Sequence, residues 1–260
     1  MKKTRERLIL EDKEKSSPLF YRHLAAYRFC SCFTRGKTVL DLSCGDGYGS
    51  YLLSGKAKKV IGIDSDKKTI KLANQRYKSK NLGFIVGDVL KIPKLTKFDI
   101  IIALQLIEHI ADTESFLKQI KDILIKDGKV IISTPNKGLR LKKGEKPWNL
   151  FHVHEYSFSE LYNLLSNHFS QVAILGLKAM PSIYKLEKKR LFIRCIIAKL
   201  DVFKIYHHIP KELTDWFLEK LKKLLFKNKR RGLEEISLDD FWVTKERVGG
   251  ALDLIVICKK

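Results

Sequence analysis

Short apolar runs alternating with helix-period stretches restrict this chain to very few architectures. Runs at 38–43, 60–64, 83–88, 98–104 and 129–134 are almost continuously apolar. Segments at about 48–55, 67–80 and 113–125 lie between them and carry apolar residues at helical spacing, as Phe116, Leu117, Ile120 and Leu124 do. Strands without an inside–outside alternation are buried on both faces, which calls for a parallel sheet with helices on either side. Two further runs, 171–177 and 251–258, complete a predicted doubly wound, mostly parallel sheet of seven strands. With 260 residues, 45% of them hydrophobic, the chain has enough apolar material to cover both faces.

In such sheets ligands bind beyond the carboxyl ends of the strands. The first run ends in Cys44-Gly45-Asp46-Gly47-Tyr48-Gly49, where glycines let the backbone approach a ligand closely. The second ends at Asp64, 19 residues after Gly45, whose carboxylate can accept both hydroxyls of a ribose. The third ends at Asp88, which can take an adenine amino group. Each feature alone has an ordinary explanation: a Gly-x-Gly turn is common, and a strand-end Asp often caps the next helix. Three in order at consecutive strand ends are harder to explain that way. A dinucleotide site requires G-x-G-x-x-G; here the third glycine, Gly49, comes one residue early. Asp41 and Asp46 would repel a pyrophosphate and suit a cationic, phosphate-free cofactor.

The segment 39–47, Val-Leu-Asp-Leu-Ser-Cys-Gly-Asp-Gly, resembles the first motif of class I S-adenosylmethionine-dependent methyltransferases. Val60-Ile61-Gly62-Ile63-Asp64 resembles their second, Gly87-Asp88 their adenine-contacting one, 98–110 with its Glu108-His109-Ile110 ending their fourth, and 127–136 their fifth. The resemblance spans about 20–178 and implies a Rossmann-like methyltransferase fold with S-adenosyl-L-methionine as cofactor. By that resemblance Asp41 orients the loop toward the cofactor's amino group. Ser43, Gly45 and Gly47 line its methionine part, together with Leu104 and Gln105. Asp64 holds the ribose, Asp88 and Val89 the adenine, and Ser65 is a further cofactor-binding candidate. Ser43 stands where the family usually has glycine.

The acceptor is less legible. Ala103-Leu104-Gln105-Leu106 lacks the Asn/Asp-Pro-Pro-aromatic motif of enzymes that methylate base amino groups. The stretch 147–157 resembles one in bacterial small-molecule methyltransferases of glycan and lipid biosynthesis, and more loosely a region of ubiquinone-pathway O-methyltransferases. Its His152 falls after the fifth strand, on the ligand side. It is either a base for an acceptor hydroxyl or a backbone-bonded residue that positions the helix starting near Ser157. His109 has the same two readings, substrate contact or helix positioning. His154 and Glu155 read as lesser candidates, His23 and Tyr27 as lid contacts or an ordinary amphipathic face. No histidine–cysteine–carboxylate spacing identifies a metal site.

Charge divides the chain. Residues 178–231 carry 16 basic and 5 acidic residues, half of the formal net charge of +22. The expected organisation is an N-terminal helical segment or lid (1–37), a cofactor-binding core (38–178), a basic helical insertion (179–245) and a final core strand (246–260). Within the insertion, 183–206 and 212–227 read as helices mixing apolar and basic residues. Three roles suit them: a cap over the acceptor pocket, docking on anionic lipid, or a nucleic-acid surface. The charged start, five scattered cysteines and the absence of an apolar run of roughly 18 residues lead to an expectation of a cytosolic protein, peripheral at a membrane under the second reading. The expected function is methyl transfer to a small-molecule or lipid/glycan-linked acceptor, at oxygen. RNA methylation and a non-catalytic cofactor-binding module are the alternatives. The oligomeric state is open.

Overall fold

The computed structural model describes residues 17–92, 97–142, 144–200 and 236–260, without the side chains of 197–200. In chain order the elements are α1 (Pro18–Ser31), β1 (Thr38–Leu42), α2 (Tyr48–Ser54), β2 (Lys59–Asp64), α3 (Lys67–Arg76), β3 (Leu82–Val86), β4 (Phe98–Leu104), α4 (Thr113–Ile123), β5 (Leu124–Pro135), α5 (Lys137–Arg140), α6 (Phe158–Ser166), β6 (Gln171–Ala179), α7 (Pro181–Leu200), β7 (Phe241–Thr244) and β8 (Asp253–Lys259). They build one sheet in the order β3-β2-β1-β4-β5-β8-β6-β7. Strands β1 to β5 pair in parallel, and β8 runs antiparallel between β5 and β6.

The apolar runs are strands because each feeds two cores at once. Along β4, Ile101 and Ala103 face one cluster with Phe116, Leu117 and Ile120 of α4 and Leu161 and Leu165 of α6. Ile100, Ile102 and Leu104 face the other, with Ala25, Ala26 and Tyr27 of α1 and Leu53 of α2. A residue spacing of two therefore sends every second side chain to the opposite layer. Local chemistry starts the helices. The side chains of Ser17, Asp66 and Asp112 accept hydrogen bonds from first-turn amides. Ser157 and Glu160 form a reciprocal capping box at α6.

The sheet has eight strands, not the seven expected. The additional one, β7, pairs antiparallel with β6 through Lys178–Trp242 and its neighbours, inside the region read as a helical insertion. Four residues are too few to show a period, and Phe241 is a core residue only once β7 is paired with β6. Of the two expected insertion helices, the first is α7. The second, 212–227, lies outside the described residues. Helix α3 stops at Arg76, short of the expected 80, because Tyr77 turns extended. Among the described residues, no helix is long and apolar enough to cross a membrane.

Candidate active site

The loop after β1 wraps around two buried carboxylates. Asp41, wholly buried, accepts from the Ser50 hydroxyl at 2.6 Å and from the Tyr27 hydroxyl at 3.3 Å. Burial pushes its pKa up to about 7, against the lowering effect of those two hydroxyls. Asp64, at the end of β2, is also buried; it accepts from the Gly45 amide at 3.1 Å and the Asp66 amide at 2.9 Å. The second strand end thus holds the first loop in shape.

Left-handed backbone at Ser43 (φ 59°), Gly45 (58°) and Gly47 (91°) makes the turn. The space beside Gly45 is open for 4 Å where a side chain would begin, whereas a Cβ at Gly47 would strike the Phe84 ring at 2.6 Å. Gly49 has another cause: a Cβ there would enter the Tyr27 ring at 2.1 Å. This glycine admits the tyrosine that reaches Asp41 from α1.

The other predicted cofactor residues extend along the strand ends. The Gly87 amide donates to the Asp64 carbonyl at 3.0 Å. Beyond it Asp88 is exposed, Val89 is buried, and Ser65 is exposed. Leu104 is buried at the end of β4; Gln105 takes a left-handed φ of 51°, and its amide donates to the Ser133 carbonyl at 2.9 Å.

Beyond β4 and β5 lies a second centre. His109 closes a short 3₁₀ turn, Ile107–His109, and its Nδ1 donates to the Phe151 carbonyl at 2.8 Å. His152 sits in the loop before α6, its Nδ1 bonded to the Glu155 carboxylate at 2.8 Å. The two rings meet edge to face, centroids 5.0 Å apart. Glu155, fully buried, also receives Arg140 Nε at 2.9 and 3.0 Å. Burial pushes its pKa up, but the His152 and Arg140 contacts outweigh it, and the carboxyl lies below its usual range. The Arg140 guanidinium rests on the Trp148 ring, 4.5 Å from its centroid. The structure thus joins His109 and His152, with Glu155 as support. His154 turns instead to Tyr156 and Glu160.

A third set of charges joins α1, α7 and β8. Arg22 of α1 reaches Asp253 of β8 at 3.1 Å and Glu187 of α7 at 3.3 Å, and all three are buried. Nothing in the sequence signals these partners, which lie 165 or more positions from Arg22. Ser50 and Arg140 are likewise recognisable only in three dimensions. Tyr27 alone has a sequence signal, its place in the predicted lid.

A doubly wound sheet, a Gly-rich first loop and acidic strand ends are the marks of a Rossmann-like methyltransferase. A family model described as "Methyltransferase domain" matches residues 33–191, more than half of the chain. A "probable S-adenosylmethionine-dependent methyltransferase" of Mycolicibacterium smegmatis is 31% identical over 147 residues, 56% of this chain and 56% of that protein. A ubiquinone biosynthesis O-methyltransferase of Glaesserella parasuis is 36% identical over 110 residues, 39% and 47% of the two chains. The YcgJ protein of Bacillus subtilis shares the fold with a TM-score of 0.56 at 18% identity, covering 91% of this chain and 98% of that one. The chain belongs to the S-adenosylmethionine-dependent methyltransferase family. It spans 56–62% of the length of the first curated relatives it matches.

The residues present fit the family's cofactor. Asp64 accepts from the Gly45 amide beside the open space at that glycine, and Asp41 lies buried at the start of the same loop. They offer negative charge and acceptors to a ligand that carries a sulfonium, an ammonium and a ribose.

Proposed function

We propose that this chain transfers a methyl group to a hydroxyl of a small-molecule or lipid/glycan-linked acceptor. The observation that carries the reading is the His109–His152 pair beyond the ends of β4 and β5, with its Glu155–Arg140 support. When bound, S-adenosyl-L-methionine supplies an electrophilic methyl. The chain's own residues do the rest. Asp64 shapes the loop that receives the ribose, Ser43, Gly45 and Gly47 give the methionine part room, and Asp88 and Val89 take the adenine.

Glu155 and the Phe151 carbonyl each accept from an Nδ1–H, so in the neutral tautomer that acts as a base the lone pair lies on Nε2. His152 Nε2 then takes the proton of an acceptor hydroxyl, and the proximity of the bound partners supplies much of the remaining rate.

A lipid-linked acceptor is favoured by the outer face of α7. There Phe192 and Ile196 are 65% and 40% exposed, beside the exposed Lys185, Lys188 and Lys189. That face suits peripheral docking on anionic membrane from the cytosolic side. The test is to supply labelled cofactor with lipid/glycan and RNA extracts in parallel. Label enters the lipid/glycan fraction; label in RNA alone would replace this acceptor with nucleic acid, and cofactor binding without transfer to either would favour a non-catalytic module. In the same preparation, Phe192→Glu/Ile196→Glu reduces sedimentation with phosphatidylglycerol vesicles several-fold, and unchanged sedimentation would reject the membrane role.

A further inference from the structure

One donor atom from each of Glu108, His109 and His152 lies within 4.8 Å of the other two. Glu108 and His152 are buried and His109 is half-buried. From this convergence we propose that the three residues bind a divalent transition-metal ion of the zinc type, with coordination positions open to the acceptor. The inference rests on the reading of this region as the acceptor side.

Four features support it. First, the ring nitrogens are already assigned. A carbonyl and a carboxylate only accept, so both Nδ1 atoms carry the hydrogen, and Nε2 is the nitrogen through which each ring would bind the ion. Second, metal-bound histidines are typically held in this way, by a carboxylate or a carbonyl on the far nitrogen. Here the holding carboxylate, Glu155, is itself fixed by Arg140. Third, the two loops are tied together: the Glu108 carbonyl accepts from the Val153 amide at 2.7 Å and the His154 amide at 3.3 Å. The three ligands therefore belong to one rigid unit although His152 is 43 positions from His109. Fourth, two imidazoles and one carboxylate form a three-ligand set that leaves a fourth position for an oxygen, the pattern of catalytic rather than structural zinc.

An acceptor hydroxyl on such an ion loses its proton more readily. The O–H bond breaks, the electron pair stays on the oxygen beside the metal, and the proton passes to water. In the metal-loaded protein His152 is a ligand. In the metal-free protein the same nitrogen is a slower substitute as base, so transfer falls when the ion is removed.

The experiment uses the full chain, stripped of metal with chelator, in the presence of S-adenosylhomocysteine. Zn²⁺ is titrated against a chromophoric chelator, and Co²⁺ is added separately to read the visible d–d bands of a low-symmetry nitrogen–oxygen site. One equivalent binds at micromolar or tighter affinity and raises the melting temperature. His152→Ala and His109→Ala each weaken binding at least 100-fold and lose the Co²⁺ bands. Glu155→Gln, which removes no ligand, weakens binding about 10- to 100-fold. Cys32→Ser, at an exposed thiol, changes nothing.

Absence of stoichiometric binding, or affinity unchanged in both histidine variants, overturns the proposal. Melting and S-adenosylhomocysteine affinity, measured on each variant, separate a lost ligand from a lost fold. Glu108→Gln serves as the conservative variant for the third position. Loss of S-adenosylhomocysteine binding by the wild-type chain would count against the methyltransferase reading itself. Retention of that binding, with full transfer in excess chelator, overturns the metal alone.

Discussion

At Ser43 the backbone takes a conformation that costs a non-glycine residue about 1 kcal/mol. The family's usual glycine is thereby explained, and Ser43→Gly is expected to raise the melting temperature by a few degrees in a thermal scan. Gly47 is the opposite case. Gly47→Ala meets both a φ of 91° and the Phe84 ring, so a loss of about 2–3 kcal/mol is expected in urea unfolding, with cofactor affinity falling as well. Asp41 gives a pH signature. Its folded pKa, about 7, lies above the unfolded value near 4. Its contribution to stability is therefore complete below about pH 4 and is lost as pH rises toward 7. Asp41→Asn is expected to flatten that slope, which denaturant titrations at pH 5 and pH 7.5 measure. A cationic ligand beside Asp41 lowers its pKa again. Calorimetry with S-adenosylmethionine near pH 6.5 in buffers of different ionisation enthalpy therefore records proton release. The glycines and the two buried acids of this loop could be read from the chain alone because they are close in sequence and obey simple steric and charge rules. The Tyr27–Gly49 fit could not, since it depends on the angle at which α1 crosses α2.

At the scale of elements, the strands were legible because burial on both faces leaves an unbroken apolar run. Their partners across the molecule were not. Arg22, Asp253 and Glu187 come from three elements distant in sequence, and a buried charge announces nothing until its counter-charge is next to it. Burial raises the pKa of Asp253, while Arg22 opposes that shift. Arg22→Met leaves the carboxyl buried with less compensation. A loss of about 3 kcal/mol is expected, larger at pH 8 than at pH 5 because Asp253 must then ionise; denaturant midpoints at the two pH values measure it. Strand β7 escaped notice for a different reason, its shortness. The histidine centre was half-visible. His109 and His152 stood out as residue types, but their meeting depends on the Glu108 carbonyl bridging two loops.

At the scale of the whole molecule, the sheet is divided between one half made of chain neighbours and one half that is not. Strands β1 to β5 are complete once residue 135 has been made. Strand β6 has no place beside them until β8, made last of the strands, is inserted between β5 and β6. Leu254, Ile255 and Val256 are fully buried there, one layer of side chains serving each face. On the ribosome, then, β1 to β5 can assemble early, while β6 and β7 wait without the strand that joins them to the rest of the sheet. At roughly 5–20 residues per second this wait lasts several seconds. Nascent chains arrested before residue 253 should be cut by protease within β6 (171–179) yet protected within β1, β2, β4 and β5. Those released after β8 has emerged should resist in both. Under the proposed function, the acceptor side, with Asp253 at its edge, is thus finished last in the life of each molecule. On that reading a methyl donor can find its binding loop before the region proposed to receive the acceptor is complete.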